Sequence, residues 1–92
     1  FQIKGKNLMT YEIELYTTDP CPFCIAAKNL LKKRGLEWKE YLVFGGTKEW
    51  EKMISRTNAK TVPQIIINGE VIGGYPELSS FDKEGKLSEL KK

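Results

Sequence analysis

Residues 11–24 read Tyr11-Glu12-Ile13-Glu14-Leu15-Tyr16-Thr17-Thr18-Asp19-Pro20-Cys21-Pro22-Phe23-Cys24, and the change of period inside this stretch decides the fold. Through Thr17 the residues alternate, with Tyr11, Ile13, Leu15 and Thr17 on one face and Glu12, Glu14 and Tyr16 on the other, the period of a strand. Asp19-Pro20 breaks that pattern. From Phe23 the apolar residues recur as Phe23, Ala26, Ala27, Leu30 and Leu31, the spacing of one helical face. Gly35 then stops the helix after a basic last turn of Lys32, Lys33 and Arg34, which suits the negative end of the helix dipole. Two cysteines are thereby placed where a strand ends and a helix begins.

Outward from this unit, residues 37–43 are rich in aromatic and β-branched types and predict a second strand. Gly45-Gly46 marks a loop, Thr47 is a candidate N-cap, and Trp50, Met53, Ile54 and Thr57 give a second amphipathic helix that ends near Asn58. Pro63 opens Gln64-Ile65-Ile66-Ile67, a continuous apolar run suited to a central strand covered on both faces. Asn68-Gly69 is a strong hairpin signal, so Val71-Ile72 is expected to return antiparallel and to end at Gly73-Gly74. Residues 77–90 carry Leu78, Phe81, Leu87 and Leu90, consistent with one helix or with two interrupted at Gly85. The order β-α-β-α-β-β-α predicts an α/β fold with a central four-stranded mixed sheet flanked by helices.

The 92 residues suit one domain, and 40% hydrophobic with 29% charged residues is an ordinary globular balance. A net charge of +3 is too mild and dispersed to imply a nucleic-acid partner. No run approaches the roughly 20 apolar residues of a membrane span. With two cysteines, a disulfide-stapled secreted scaffold is not expected, and no leader with a small-residue cleavage site is read, so the reducing cytoplasm is the expected compartment. Residues 1–8 precede Met9 and are read as an expression-vector remnant or a disordered tail, the domain being 9–92. No dimer seam is visible, and a monomer is expected.

Cys21-Pro22-Phe23-Cys24 carries the chemistry. A thiol at a helix N-terminus faces unsatisfied backbone N–H groups and the positive end of the dipole, which favour thiolate, the nucleophile of disulfide exchange. Pro22 fits the first turn, where its missing N–H costs nothing. Cys24 lies deeper in the helix and is expected to be more buried, suited to expelling a partner from a mixed disulfide. Zinc binding would need further ligands, and the chain has two cysteines and no histidine, so no metal site is expected. Two small buried residues without a redox role are the bland alternative. Thr61-Val62-Pro63 is the second constellation. Pro63 could simply open a strand, or follow a cis peptide that leaves the Val62 backbone open to an extended substrate.

Together, Tyr16-Thr17, Cys21-Pro22-Phe23-Cys24, Ala27-Lys28 with its following leucines, Thr61 through Gly69, Ile72-Gly73-Gly74 and Leu78 through Leu87 resemble the glutaredoxin family. The resemblance runs from about Glu12 to the end. It implies a thioredoxin-like fold, a cis Pro63, glutathione as reductant and co-substrate with no tightly bound cofactor, and activity on protein disulfides and glutathione mixed disulfides. Cys21 would attack and Cys24 resolve, while Phe23, Lys60, Thr61, Val62, Pro63, Gly74, Tyr75 and Glu77 would line the substrate and glutathione groove.

The departures from the family pattern cluster at that groove. Thr18 stands where a basic residue is usual. Trp50 stands near a usual Arg or Gln, and its spacing with Met53 and Ile54 fits a core role instead. Pro76 removes an N–H from Tyr75-Pro76-Glu77, where the family commonly has an acidic pair. Lys60 or Arg56 could supply a replacement cation. Two alternatives therefore stand beside the leading reading. One is a glutaredoxin-like electron donor, with ribonucleotide reductase among its possible partners, recharged by thioredoxin reductase. The other, from a different class, is an iron-sulfur cluster carrier using Cys21, against which Cys24 and the stiff Pro22 argue.

Overall fold

The alternating stretch becomes β1 (Ile13–Thr17), followed by α1 (Pro22–Lys33), β2 (Lys39–Leu42), α2 (Lys48–Thr57), β3 (Gln64–Ile67), β4 (Glu70–Gly73), α3 (Tyr75–Lys83) and α4 (Lys86–Glu89) in a computed structural model that describes residues 11–90. The expected remnant at 1–8 lies outside the described residues. Among the described residues the sheet has four strands in the order β2-β1-β3-β4. β1 runs parallel to β2 and antiparallel to β3, and β3 runs antiparallel to β4, so the sheet is mixed as expected.

Parity along the strands assigns the two faces. Ile13 and Leu15 of β1 and Ile65 and Ile67 of β3 pack with Ala27, Leu31, Leu36, Leu78 and Leu87, the face covered by α1, α3 and α4. Tyr16 and Ile66 point the other way and pack with Val43 and Met53, beneath α2. Tyr16 stands on the face opposite Ile13 and Leu15, as the alternation predicts, and α2 covers it so that Tyr16 is buried. Alternation cannot distinguish a wet face from one that a later helix will cover.

Local signals explain the element ends. The Gly35 N–H donates to Lys32 O (2.9 Å) and the Leu36 N–H to Leu31 O (3.0 Å), while Gly35 sits at φ 72°, a conformation that favours glycine. Thr47 Oγ1 caps α2 by accepting the Trp50 N–H at 3.2 Å, as its position predicts. Asn68 (φ 53°) and Gly69 (φ 82°) both take positive φ, the hairpin conformation that their order predicts. Asn68 also fastens the turn to the chain ahead of β1, its Oδ1 accepting the Glu12 N–H at 2.8 Å.

Other boundaries differ from expectation. The second strand, predicted over 37–43, contracts to Lys39–Leu42, an edge strand with largely exposed side chains. The C-terminal segment resolves into two helices, with Gly85 at φ 81° between them. Phe23, assigned to the apolar face of the first helix, is 62% exposed; Cys24, Ala27 and Leu31 form the buried stripe instead. A helix beginning at Pro22 turns position 23 outward and position 24 inward.

Candidate active site

Cys21 is the N-cap of α1, with extended backbone angles, and its carbonyl accepts the Ile25 N–H at 3.0 Å. Its sulfur accepts the Cys24 N–H at 3.1 Å. Helix start and sulfur are thus one arrangement, in which the side chain of Cys21 satisfies an amide that would otherwise lack a partner. The two cysteines are joined as a disulfide with Cα atoms 5.2 Å apart. Cys21 retains 9% of its surface and Cys24 only 1%, the order of burial expected from their positions in the helix.

The strand that leads to the motif and the helix that carries it are tied through one carboxylate. Buried Thr17, at the end of β1, donates its hydroxyl to Glu40 Oε2 (2.8 Å), which Lys28 Nζ also contacts at 3.2 Å. Partial burial works against ionisation of Glu40, yet the hydrogen bonds from Thr17 and Lys28 hold its carboxyl below its ordinary value. This links α1, β1 and β2.

Beside the motif lies a groove of about 410 Å³. Its lining includes Phe23, Thr61, Val62, Pro63, Gly74, Tyr75 and Glu77, seven of the positions expected there. The cysteines are not among the lining residues; Phe23, between them, is where the groove meets the motif. Its ring stands 6.2 Å from that of Tyr75 in a tilted arrangement, so α1 and the start of α3 approach each other across the groove. The Val62-Pro63 peptide is cis, the second of the two conformations left open by the sequence. Asp19-Pro20 is also cis, which the sequence did not signal. A Cβ on Gly74 would lie 3.5 Å from Pro63 O, so the α3 N-terminus packs against the Pro63 segment. Gln64 Nε2 donates to Thr61 Oγ1 at 3.2 Å and holds the other end of that segment.

Two expected contributors stand elsewhere. Lys60 is exposed and is not among the groove-lining residues. Arg56 is committed to β1, donating to both carboxylate oxygens of Glu14 (2.7 and 2.9 Å) and to the Tyr16 hydroxyl (2.9 Å). Trp50 packs against the Tyr16, Val43, Met53 and Ile66 cluster, the core role its spacing indicated. Thr57, Ala59, Gln64 and Val71 also line the groove. None was singled out from sequence, although a polar Gln64 directly after Pro63 in an otherwise apolar strand was a usable signal. Among the described residues, no three or more His, Cys, Asp or Glu side chains gather as a metal site.

Residues 13–72 match the family model described as Glutaredoxin. The chain belongs to the glutaredoxin family. A probable glutaredoxin of Synechocystis is 42% identical over 80 residues, covering 86% of this chain and 91% of the relative. Glutaredoxin 3 of Escherichia coli K12 is 40% identical over 80 residues, covering 87% and 96%. The solution structure of glutaredoxin from Brucella melitensis superposes with a TM-score of 0.74 at 36% identity, covering 94% of this chain and 92% of that one. The fold is accordingly thioredoxin-like, and the activity of this glutaredoxin is thiol-disulfide oxidoreduction by a redox-active cysteine pair. No helix among the described residues is long and apolar enough to cross a membrane.

Proposed function

We propose that this glutaredoxin reduces protein disulfides and glutathione mixed disulfides, with glutathione as the co-substrate that restores it. The observation that carries the reading is the position of Cys21, whose sulfur accepts a backbone N–H at the start of α1 and keeps more exposure than Cys24. In the reduced protein the same amide favours the Cys21 thiolate. That thiolate attacks one sulfur of the substrate disulfide; the S–S bond breaks and the second sulfur leaves as a thiolate that takes up a proton. Cys24, as thiolate, then attacks Cys21 in the mixed disulfide and expels the remaining substrate thiol. Two electrons have passed to the substrate, and the protein is left as the Cys21–Cys24 disulfide. Two glutathione thiols reverse that oxidation and leave as glutathione disulfide. The cis Val62-Pro63 segment and Gly74-Tyr75 form the groove that receives the partner chain, with Val62 backbone groups pairing to it. The protein works as a cytoplasmic monomer without a bound cofactor.

A second reading draws support from the groove's charge. Among the described residues its lining contains no Lys or Arg, Trp50 belongs to the core and Arg56 is paired with Glu14, which favours recharging by thioredoxin reductase over tight glutathione binding. Turnover of a glutathione mixed disulfide, coupled either to glutathione with its reductase or to thioredoxin reductase, decides between them. Turnover with the first system is expected; turnover with thioredoxin reductase alone would overturn glutathione dependence.

A further inference from the structure

Among the described residues, five large apolar side chains are exposed: Phe23, Ile25, Leu42, Phe44 and Val71. Phe23 and Val71 line the groove. Ile25, Leu42 and Phe44, at 55%, 52% and 48% exposure, lie on the other side of the motif. Lys28 of α1 reaches Glu40 of β2, so that flank of the helix faces the edge strand. Ile25, one turn earlier, shares the flank. Phe23 stands about 200° from Ile25 around the helix axis, at roughly 100° per residue, which sends the two to opposite sides of α1. In the sheet, Leu15 pairs with Glu40 and Thr17 with Leu42, and residues paired across a ladder share a face. Leu15 packs with Ala27 and Leu31 of α1, so Leu42 is on the helix side of the sheet as well. It stands beside Thr17, the last residue of β1, where the chain leaves the sheet for Cys21. Phe44 follows at the same end of β2.

We propose that Ile25, Leu42 and Phe44 form a docking shelf for the half of a disulfide substrate that the groove does not hold, fitting a protein segment with apolar side chains beside its cysteine. The shelf is continuous with the catalytic site: Ile25 follows Cys24 directly, and Leu42 adjoins the strand that leads to Cys21. Single exposed apolar residues are ordinary, but a group of them bordering a reactive sulfur marks an interaction surface. The neighbouring Lys28–Glu40 pair carries no net charge, so this flank selects by apolar burial rather than by charge. A disulfide presents two halves to Cys21, and groove and shelf lie on opposite flanks of the helix that begins there. One half enters the groove while the other, with its flanking chain, rests on the shelf. The inference rests on the reading that the protein reduces protein disulfides, and it adds where the second half lies and what its flanks carry.

Single-turnover reduction tests this without depending on any recharging system. The dithiol protein is mixed with two peptides, each with one cysteine held in a disulfide with 2-mercaptoethanol, flanked on both sides by Leu-Val in one and by Ser-Gln in the other. Each rate is divided by the same protein's rate on the disulfide of 2-mercaptoethanol itself, which removes any general loss of reactivity or folding. At subsaturating peptide the wild type should prefer the Leu-Val peptide about tenfold. Ile25→Gln combined with Leu42→Thr should reduce that preference to about twofold, and Leu42→Thr alone should give an intermediate value. Any intrinsic difference between the peptide sulfurs is common to all the proteins, so the change in preference isolates the shelf. Equal normalised rates in the wild type, or a preference left intact in the double variant, would overturn the shelf and leave the reduction of protein disulfides standing. Failure of the wild type on both peptides, with the small disulfide still reduced, would overturn the two together.

Discussion

At the scale of the residue, the division of labour between the two cysteines follows from one turn of helix. Cys21 stands outside the first turn and accepts an amide, whereas Cys24 lies on the buried stripe with Ala27 and Leu31. Position 23, between them, is turned outward, which makes Phe23 a groove wall and not a core residue. Replacing Cys21 by Ser should abolish exchange, because the attacking sulfur is gone. Replacing Cys24 by Ser should leave the first attack intact and halt the protein as a mixed disulfide. Intact mass after incubation with a disulfide substrate reads the difference: a stable adduct on Cys24→Ser and none on Cys21→Ser. Adducts on both variants, or on neither, would contradict the assignment.

At the scale of the element, α2 is held over the sheet by a polar clamp as well as by Met53. Arg56, in the last turn of α2, reaches back to Glu14 and Tyr16 on β1. Its hydrogen bonds hold the Glu14 carboxyl below its ordinary value, outweighing the partial burial that pushes it up. A carboxyl depressed in the folded state stabilises the fold fully above the unfolded glutamate value of about 4.3, and that stability is lost as pH falls through the folded value. Arg56→Met should therefore cost about 1–2 kcal/mol at pH 7, discounted for the partial exposure of Arg56, and less at pH 3. Urea unfolding at the two pH values measures it; an equal cost at both would show that the ion pair contributes nothing beyond packing.

At the scale of the whole molecule, the chain builds two thin apolar layers on one sheet, with nine buried residues on one side and four on the other among the described residues. Net stability for such a domain is of order 5–15 kcal/mol, so a single truncation in either layer removes a large part of it. Leu31→Ala, at a position with no exposed surface, should cost about 2–5 kcal/mol. Leu42→Ala, at a site 52% exposed on the edge strand, should cost less than about 0.5 kcal/mol. Comparable urea midpoints for the two would mean that the thicker layer does not dominate stability.

The order of elements, the stop at Gly35, the cap at Thr47, the Asn68-Gly69 turn and the cysteine pair at a helix start were all legible in the sequence, because each depends on residues within a few positions of one another. What lay on the far side of the sheet was not. Tyr16 shares its predicted face with Glu12 and Glu14, and only α2 folding over it shows that it is buried, while Arg56 reads as a free cation beside Thr61 until the sheet brings Glu14 within reach. The groove was partly legible: the Thr61-Val62-Pro63 and Gly74-Tyr75 walls lie in recognisable motifs, while the absence of Lys60 from the lining and the return of Glu77 to the Gly74 amide depend on the folded path of the chain and on space left by Gly73. Local pattern determined which segments would be strands and helices and where the reactive sulfur would stand. Tertiary packing decided which charges face the groove, because a side chain's partners are chosen by segments distant in the chain that only the folded sheet brings alongside.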